Sequence, residues 1–147
     1  MKTILAATDG SEAAAEAIDF AIELARDTGA ELQVVAVRPP TALSKAGAAP
    51  PISEVEEPGG AERIAAAAAE KAGAAGVRAH PHAGHGEPVD VIAAAGESFQ
   101  ADLIAVGSHG HGAIAGALLG SVSHGLLKHS HVPVVVVPQH AHDRVRG

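Results

Sequence analysis

The chain has 147 residues, of which 47% are hydrophobic and 1% aromatic, with a formal net charge of −7 and no cysteine. That length suits one domain packed mainly by small aliphatics. The acidic balance argues against nucleic acid or an anionic membrane as partner, and a chain without cysteine has neither a disulfide framework nor thiolate chemistry.

Thr3 to Ala7 is a short apolar run that reads as a buried central strand, ended by Thr8-Asp9-Gly10. Asp9 and Glu12 cut the N-terminal apolar stretch short, so Met1 to Leu5 is expected to open a strand rather than a secretion signal. Ser11 suits the N-cap of a helix running to about Thr28, in which Ala14, Ala17, Ile18, Ala21, Ile22 and Ala25 form an apolar stripe that Gly29 ends. Glu31 to Arg38 is the second strand, stopped by Pro39-Pro40. Residues 39–60 are rich in Pro, Gly and Ala and carry Glu54, Glu56 and Glu57, with Glu62 flanking. They read as a long loop, either a solvated insertion or a segment that closes over a ligand. Ala61 to about Ala72 is an alanine-rich helix broken by Gly73 and Gly76. Val77 to Pro81, with polar and charged residues alternating, fits a strand at a sheet edge. Glu87-Pro88 starts a helix with Val89, Ile92, Ala93 and Phe99 inward. Asp102 to Val106 is the next strand, Val122 to His129 the last helix, and Val132 to Val137 the last strand.

Five strands alternating with four helices predict an open α/β fold with a mostly parallel sheet. A single domain is expected over residues 1–138, with a polar C-terminal tail over 139–147. No apolar run approaches the ~20 residues that cross a bilayer. No membrane partner and a cytoplasmic location are the expectation.

Chemistry concentrates in residues 102–125. An apolar strand stops at Gly107, a glycine-rich loop follows, and Gly120-Ser121 leads into a helix. Glycines let backbone N–H groups approach a ligand, a helix start adds unpaired N–H groups and a dipole that favours anions, and Ser108, Ser121 and Ser123 add hydroxyl donors. The spacing is Gly107, two residues, Gly110, nine residues, Gly120-Ser121. It is neither G-x-x-x-x-G-K-S/T nor G-x-G-x-x-G after a strand.

That spacing resembles the phosphate loop of the universal stress protein family, in its ATP-binding branch. Ile4 to Glu12 resembles the family's first strand and turn, and Gly86-Glu87-Pro88 with Ile92 its third helix start. Ala101 to Gly107 and His131 to Val137 resemble its last two strands. The similarity spans roughly residues 2 to 138. It implies strand order 3-2-1-4-5 with helices on both faces, a Rossmann-like fold binding an adenine nucleotide. It places Asp9 on the ribose or adenine side, where the bland alternative is a helix cap. Ala7 and Thr8 line the same wall, and Val37 meets adenine or simply packs the core. Val106 and Gly107 face the ribose. Gly110, Gly120, Ser121, Val122 and Ser123 cradle the phosphates, with Ser108 beside them, and His109 with His111 is able to neutralise phosphate charge. The resemblance implies ATP or AMP as ligand, and one Mg²⁺ with ATP, held mainly by phosphates and water. It also places the apolar Val134–Val137 at the sheet edge, where an open strand is expected to pair antiparallel with the same strand of a second copy as a homodimer, and the sequence does not name the expected protein partner.

The chain offers no clear general base at the phosphates and no catalytic lysine. The expected function is therefore a stress-response or signalling module with little or no turnover. The alternative is a slow ATPase or autophosphorylating enzyme, and a flavoprotein or ATP pyrophosphatase domain is disfavoured by the short chain. The ten histidines include pairs two apart, at 80 and 82, 109 and 111, 129 and 131, and 140 and 142. Such pairs are able to share a metal, but they fall mostly on turns, and no dedicated metal site is expected.

Overall fold

The computed structural model describes residues 1–38, 60–108 and 120–139. Along the chain run β1 (Thr3–Thr8), α1 (Glu12–Thr28), β2 (Glu31–Arg38), α2 (Gly60–Ala74) and β3 (Ala79–His85). They are followed by α3 (Pro88–Ser98), β4 (Leu103–Gly107), α4 (Ser121–His129) and β5 (Val134–Val137). The strands form one sheet in the order β3-β2-β1-β4-β5, and every pairing is parallel. The order and the α/β class are those the sequence reading implies. Among the described residues no helix is long and apolar enough to cross a membrane.

Alternation along the strands makes two cores. Ile4 and Ala6 of β1, with Leu32, Val34 and Ala36 of β2, face α1 and α2. Leu5 and Ala7, with Val35, Ile104 and Val106, face Ile92 of α3 and Leu126 of α4. Burying each full-sized aliphatic contributes roughly 1.5–3 kcal/mol. Ile4, Leu5, Leu32, Ile104 and Leu126, all fully buried, therefore carry much of the sheet's stabilisation. The alanines around them set how closely helix and sheet approach.

Helix α1 starts and stops where its sequence says. The Ser11 hydroxyl accepts from the Ala14 N–H at 3.2 Å, and Gly29, at φ 77°, donates its N–H to the Ala25 carbonyl at 2.8 Å. The start of β1 is clipped to β4. The Asp102 carboxylate accepts from the Lys2 and Thr3 N–H groups at 2.7 and 3.0 Å, and Asp102 N–H donates to Thr3 O at 2.8 Å. These two backbone donors hold the Asp102 carboxyl below its ordinary pKa.

Strand β3 differs from the expected Val77 to Pro81. It begins at Ala79 and runs to His85, pairing residue for residue with Leu32–Arg38. Val77 instead belongs to the end of α2. Its N–H donates to Ala72 O, that of Gly76 donates to Gly73 O, and Val77 is buried. This is the apolar contact that closes a helix C-terminus, so a hydrophobic residue after Gly76 marked a helix end, not a strand start. Pro81 lies within β3, whose position at the sheet edge is as expected. The expected 39–60 loop lies outside the described residues but for Gly60, which opens α2, and the tail beyond residue 139 lies outside them too.

Candidate functional site

From β1 the chain moves outward to β2 and β3, then returns to the far side of β1 for β4 and β5. A crevice opens at such a reversal, at the carboxyl ends of the strands. Ala6 pairs with Ala105, so two steps on, Thr8 stands beside Gly107. Thr8 also pairs with Ala36, which puts Val37 one step further along the same rim. Ala7, Val37 and Val106 meet here through their strands, but their side chains pack into the α3 and α4 core. Any contribution they make to a ligand comes from backbone and from the partly buried Val37 edge.

The turn after β1 is built from its own polar side chains. Thr8 Oγ1 accepts from the Gly10 N–H at 3.1 Å, and Asp9 Oδ1 accepts from the Ser11 N–H at 2.9 Å. Gly10 sits at φ 83°, a left-handed conformation that suits glycine. The cap of α1 is Ser11, and Asp9 fastens the turn that delivers it, so the cap alternative for Asp9 does not hold.

Gly107 has a different reason to be glycine from the one its loop suggests. A Cβ there would sit 2.6 Å from the Ala13 carbonyl oxygen and 2.8 Å from its carbon. The end of β4 and the first turn of α1 touch backbone to backbone. The signal for this contact was present in the small residues Ala13 and Ala14 at the start of α1, but spacing alone does not pair them with Gly107.

Ser108 is a junction. Its N–H donates to Val137 O at 3.0 Å, and its carbonyl accepts from the Gly120 N–H. Gly120 is the N-cap of α4, at φ −72° and ψ 163°, with no side-chain cap. The first turn of α4 leaves the N–H groups of Ser121, Val122 and Ser123 without an intrahelical acceptor. It carries no acidic residue, while Lys128 and His129 lie in the last turn. Among the described residues nothing negative compensates this helix start, which meets the crevice beside Gly107 and Ser108, and a helix start of this kind favours a bound anion. Ser121 is exposed, Val122 half-buried, and Ser123 only 2% exposed, with its hydroxyl donating to Gly120 O at 3.0 Å. Helix α4 thus begins one residue earlier than expected, because Gly120 is its cap. His109 and Gly110, with His111, lie outside the described residues.

The structure thus brings Ala7, Thr8, Asp9, Val37, Val106, Gly107, Ser108, Gly120, Ser121, Val122 and Ser123 to one end of the sheet. Among the described residues no group of three His, Cys, Asp or Glu side chains stands ready to hold a metal. Elsewhere, His82 lies against the Phe99 ring, centroids 4.5 Å apart, with Nε2 2.6 Å from Gln33 Oε1.

Fold and rim together define a parallel α/β domain whose strand reversal meets the start of a helix. A model of the universal stress protein family matches residues 1–138, and the chain belongs to that family. It is similar to a universal stress protein of Methanocaldococcus jannaschii, 35% identical over 139 residues, covering 92% of this chain and 81% of that one. It is also similar to the universal stress protein YxiE of Bacillus subtilis, 34% identical over 145 residues, covering 91% and 97%. Among solved structures, a universal stress protein in complex with cAMP superposes with a TM-score of 0.70 at 29% identity, covering 94% of this chain and 97% of that one.

Proposed function

We propose that this protein binds an adenine nucleotide, with ATP as the principal ligand, at the β1/β4 crevice, and serves as a nucleotide-dependent stress-response or signalling module with little or no turnover. The observation that carries the reading is the start of α4, which has no side-chain cap among the described residues and is held beside the β4 end by the Ser108–Gly120 hydrogen bond. The cAMP complex of a relative 29% identical supports an adenine nucleotide as the ligand class. The Gly107, Gly110, Gly120-Ser121 spacing supports ATP within that class. In this reading the phosphates rest on the N–H groups of Ser121 and Val122, and Thr8 and Asp9 meet the ribose or base. A Mg²⁺ ion accompanying ATP would take its ligands mainly from phosphate oxygens and water.

The test is the identity of the nucleotide released on denaturing the purified protein, followed by calorimetry with ATP, AMP and cAMP. Gly120→Val should weaken ATP binding while leaving the sheet folded. Gly120 sits at φ −72°, so the substitution acts by bulk over the phosphates and not by backbone strain. Equal ATP affinity in a folded Gly120→Val variant would sink the phosphate assignment. Steady ATP hydrolysis at about 1 s⁻¹ or faster, the ordinary range for enzymes, would replace the binding-module reading with the enzymatic one.

The same reading includes a two-fold pairing through β5, an edge strand of four valines. Light scattering at micromolar concentration tests it. A parent that is strictly monomeric removes the dimer from the proposal.

A further inference from the structure

We propose that Ser123 does not contact the nucleotide and instead positions and polarises the peptide group that does; this rests on the nucleotide reading above. A serine hydroxyl has one hydrogen to give, and a phosphate oxygen takes only donors. The Ser123 hydrogen is already committed to Gly120 O at 3.0 Å, and the side chain is only 2% exposed. Its hydroxyl is therefore neither reachable nor available to a phosphate.

Its partner explains its use. The Gly120 carbonyl and the Ser121 N–H are two ends of one planar peptide group. That carbonyl accepts twice, from Ser123 Oγ and from the His124 N–H at 3.0 Å. The Gly120 N–H, on the preceding peptide, is fixed on Ser108 O. Both peptides flanking Gly120 are thus held, and Gly120 offers no side chain to do it. A carbonyl that accepts two hydrogen bonds draws electron density from its own amide, which makes the Ser121 N–H a stronger donor, by roughly 10–30% per bond. The Ser121 N–H is among those that have no acceptor within the helix, and none is seen among the described residues. The Ser123 hydroxyl therefore acts on the anion through one peptide, without touching it.

The geometry separates this role from general stability. In Ser123→Ala the His124 N–H still binds Gly120 O, so α4 keeps its first helical hydrogen bond. Adenosine, which has no phosphate, should lose less than twofold in affinity. ATP should lose roughly two- to fourfold, the upper part of what weakening one hydrogen bond to a charged group by about 10–30% gives, and Ser123→Thr, which keeps the hydroxyl, should recover most of it.

Calorimetry with adenosine and ATP on the parent and both variants, with thermal melts alongside, decides the affinity arm. Equal losses for both ligands, or unchanged ATP affinity, overturns the proposal. A second arm needs no ligand. The Gly120 carbonyl ¹³C resonance should shift upfield in Ser123→Ala and return in Ser123→Thr, and a resonance that does not move overturns the lock. If the parent binds neither adenosine nor ATP, the nucleotide reading fails, and the carbonyl shift still reports on the lock by itself.

Discussion

Replacing Gly107 by alanine adds a single methyl group to the rim of the crevice. The carbon would lie 2.6 Å from Ala13 O, 2.8 Å from Ala13 C and 3.1 Å from Ala14 N, all of them backbone atoms. Ordinary contacts between heavy atoms settle near 3.5–4.0 Å, so the first turn of α1 must retreat by about 0.5 Å or more. No side chain is available to swing aside, and α1 is tied behind by the Ser11 cap and by its buried Ala17, Ile18 and Ala21. Forced overpacking of this kind costs about 1–3 kcal/mol, and a backbone obstacle puts Gly107→Ala in the upper half of that range. For a chain of this size, the loss corresponds to a fall in melting temperature of roughly 5–12 °C. Circular dichroism melts and urea titration measure it directly. Gly120→Ala is the control, because Gly120 already has a φ of −72° that any residue adopts. A Gly107→Ala protein that melts within about a degree of the parent would refute the close-approach argument, since error of that size is all that a harmless methyl leaves. Because α1 begins at the Thr8–Ser11 turn, the same substitution should also weaken nucleotide binding, whereas a merely destabilised core would not.

Helix α3 ends with Gln100 at φ 53°, where its N–H donates to Glu97 O and that of Ala101 to Gly96 O. Glycine is the residue that this left-handed position favours, so Gln100→Gly should stabilise by about 0.5–1 kcal/mol, read as a raised urea midpoint; a lowered midpoint contradicts it. Burial, and secondarily the neighbouring His80, push the His82 imidazole below the ordinary value of 6.5. The unfolded chain therefore takes up this proton first, so the stability from this site is complete above about 6.5 and is lost as pH falls through the lower folded value. An NMR titration placing His82 at or above 6.5 would count against that. The Asp102 carboxyl is held below its usual 3.8 by the Lys2 and Thr3 amides. Its contribution is present above that value and disappears as acid protonates the folded form, so Asp102→Asn should flatten the acid limb of a stability–pH curve.

What the sequence made legible was what local chemistry decides. Ser11 and Gly29 bound α1 as read, and the strand Glu31–Arg38 is correct to the residue. β3 was misplaced because its second half, His82-Ala83-Gly84-His85, has no strand character of its own and is extended by pairing along β2. Strand order came with the family resemblance, since the alternation of elements leaves the order open. At the candidate site the residues were legible and several of their roles were not. Gly107 answers to Ala13, Asp9 to Ser11, and Ser123 to Gly120, and each of these is a contact that appears only when the chain is folded. Ser108 looked like a hydroxyl donor, yet the bonds that define its place are backbone bonds.

Pro81 has a consequence for how copies of this molecule can meet. Leu32 N–H bonds to Arg78 O and pairs with Ala79, so alternate residues of β3 from His80 onward turn their amides toward β2. Ala79, Pro81 and Ala83 then form the outer row, and in its middle proline offers no amide hydrogen. The opposite margin of the sheet, β5, is an unbroken run of valine. A missing amide hydrogen in the outer row of β3 weakens pairing at that margin, while β5 carries no such interruption. If β5 pairs with a second copy as proposed above, strand-to-strand association terminates itself: it stops at two copies, and a fibre built by edge stacking has no second open edge among the described strands from which to grow.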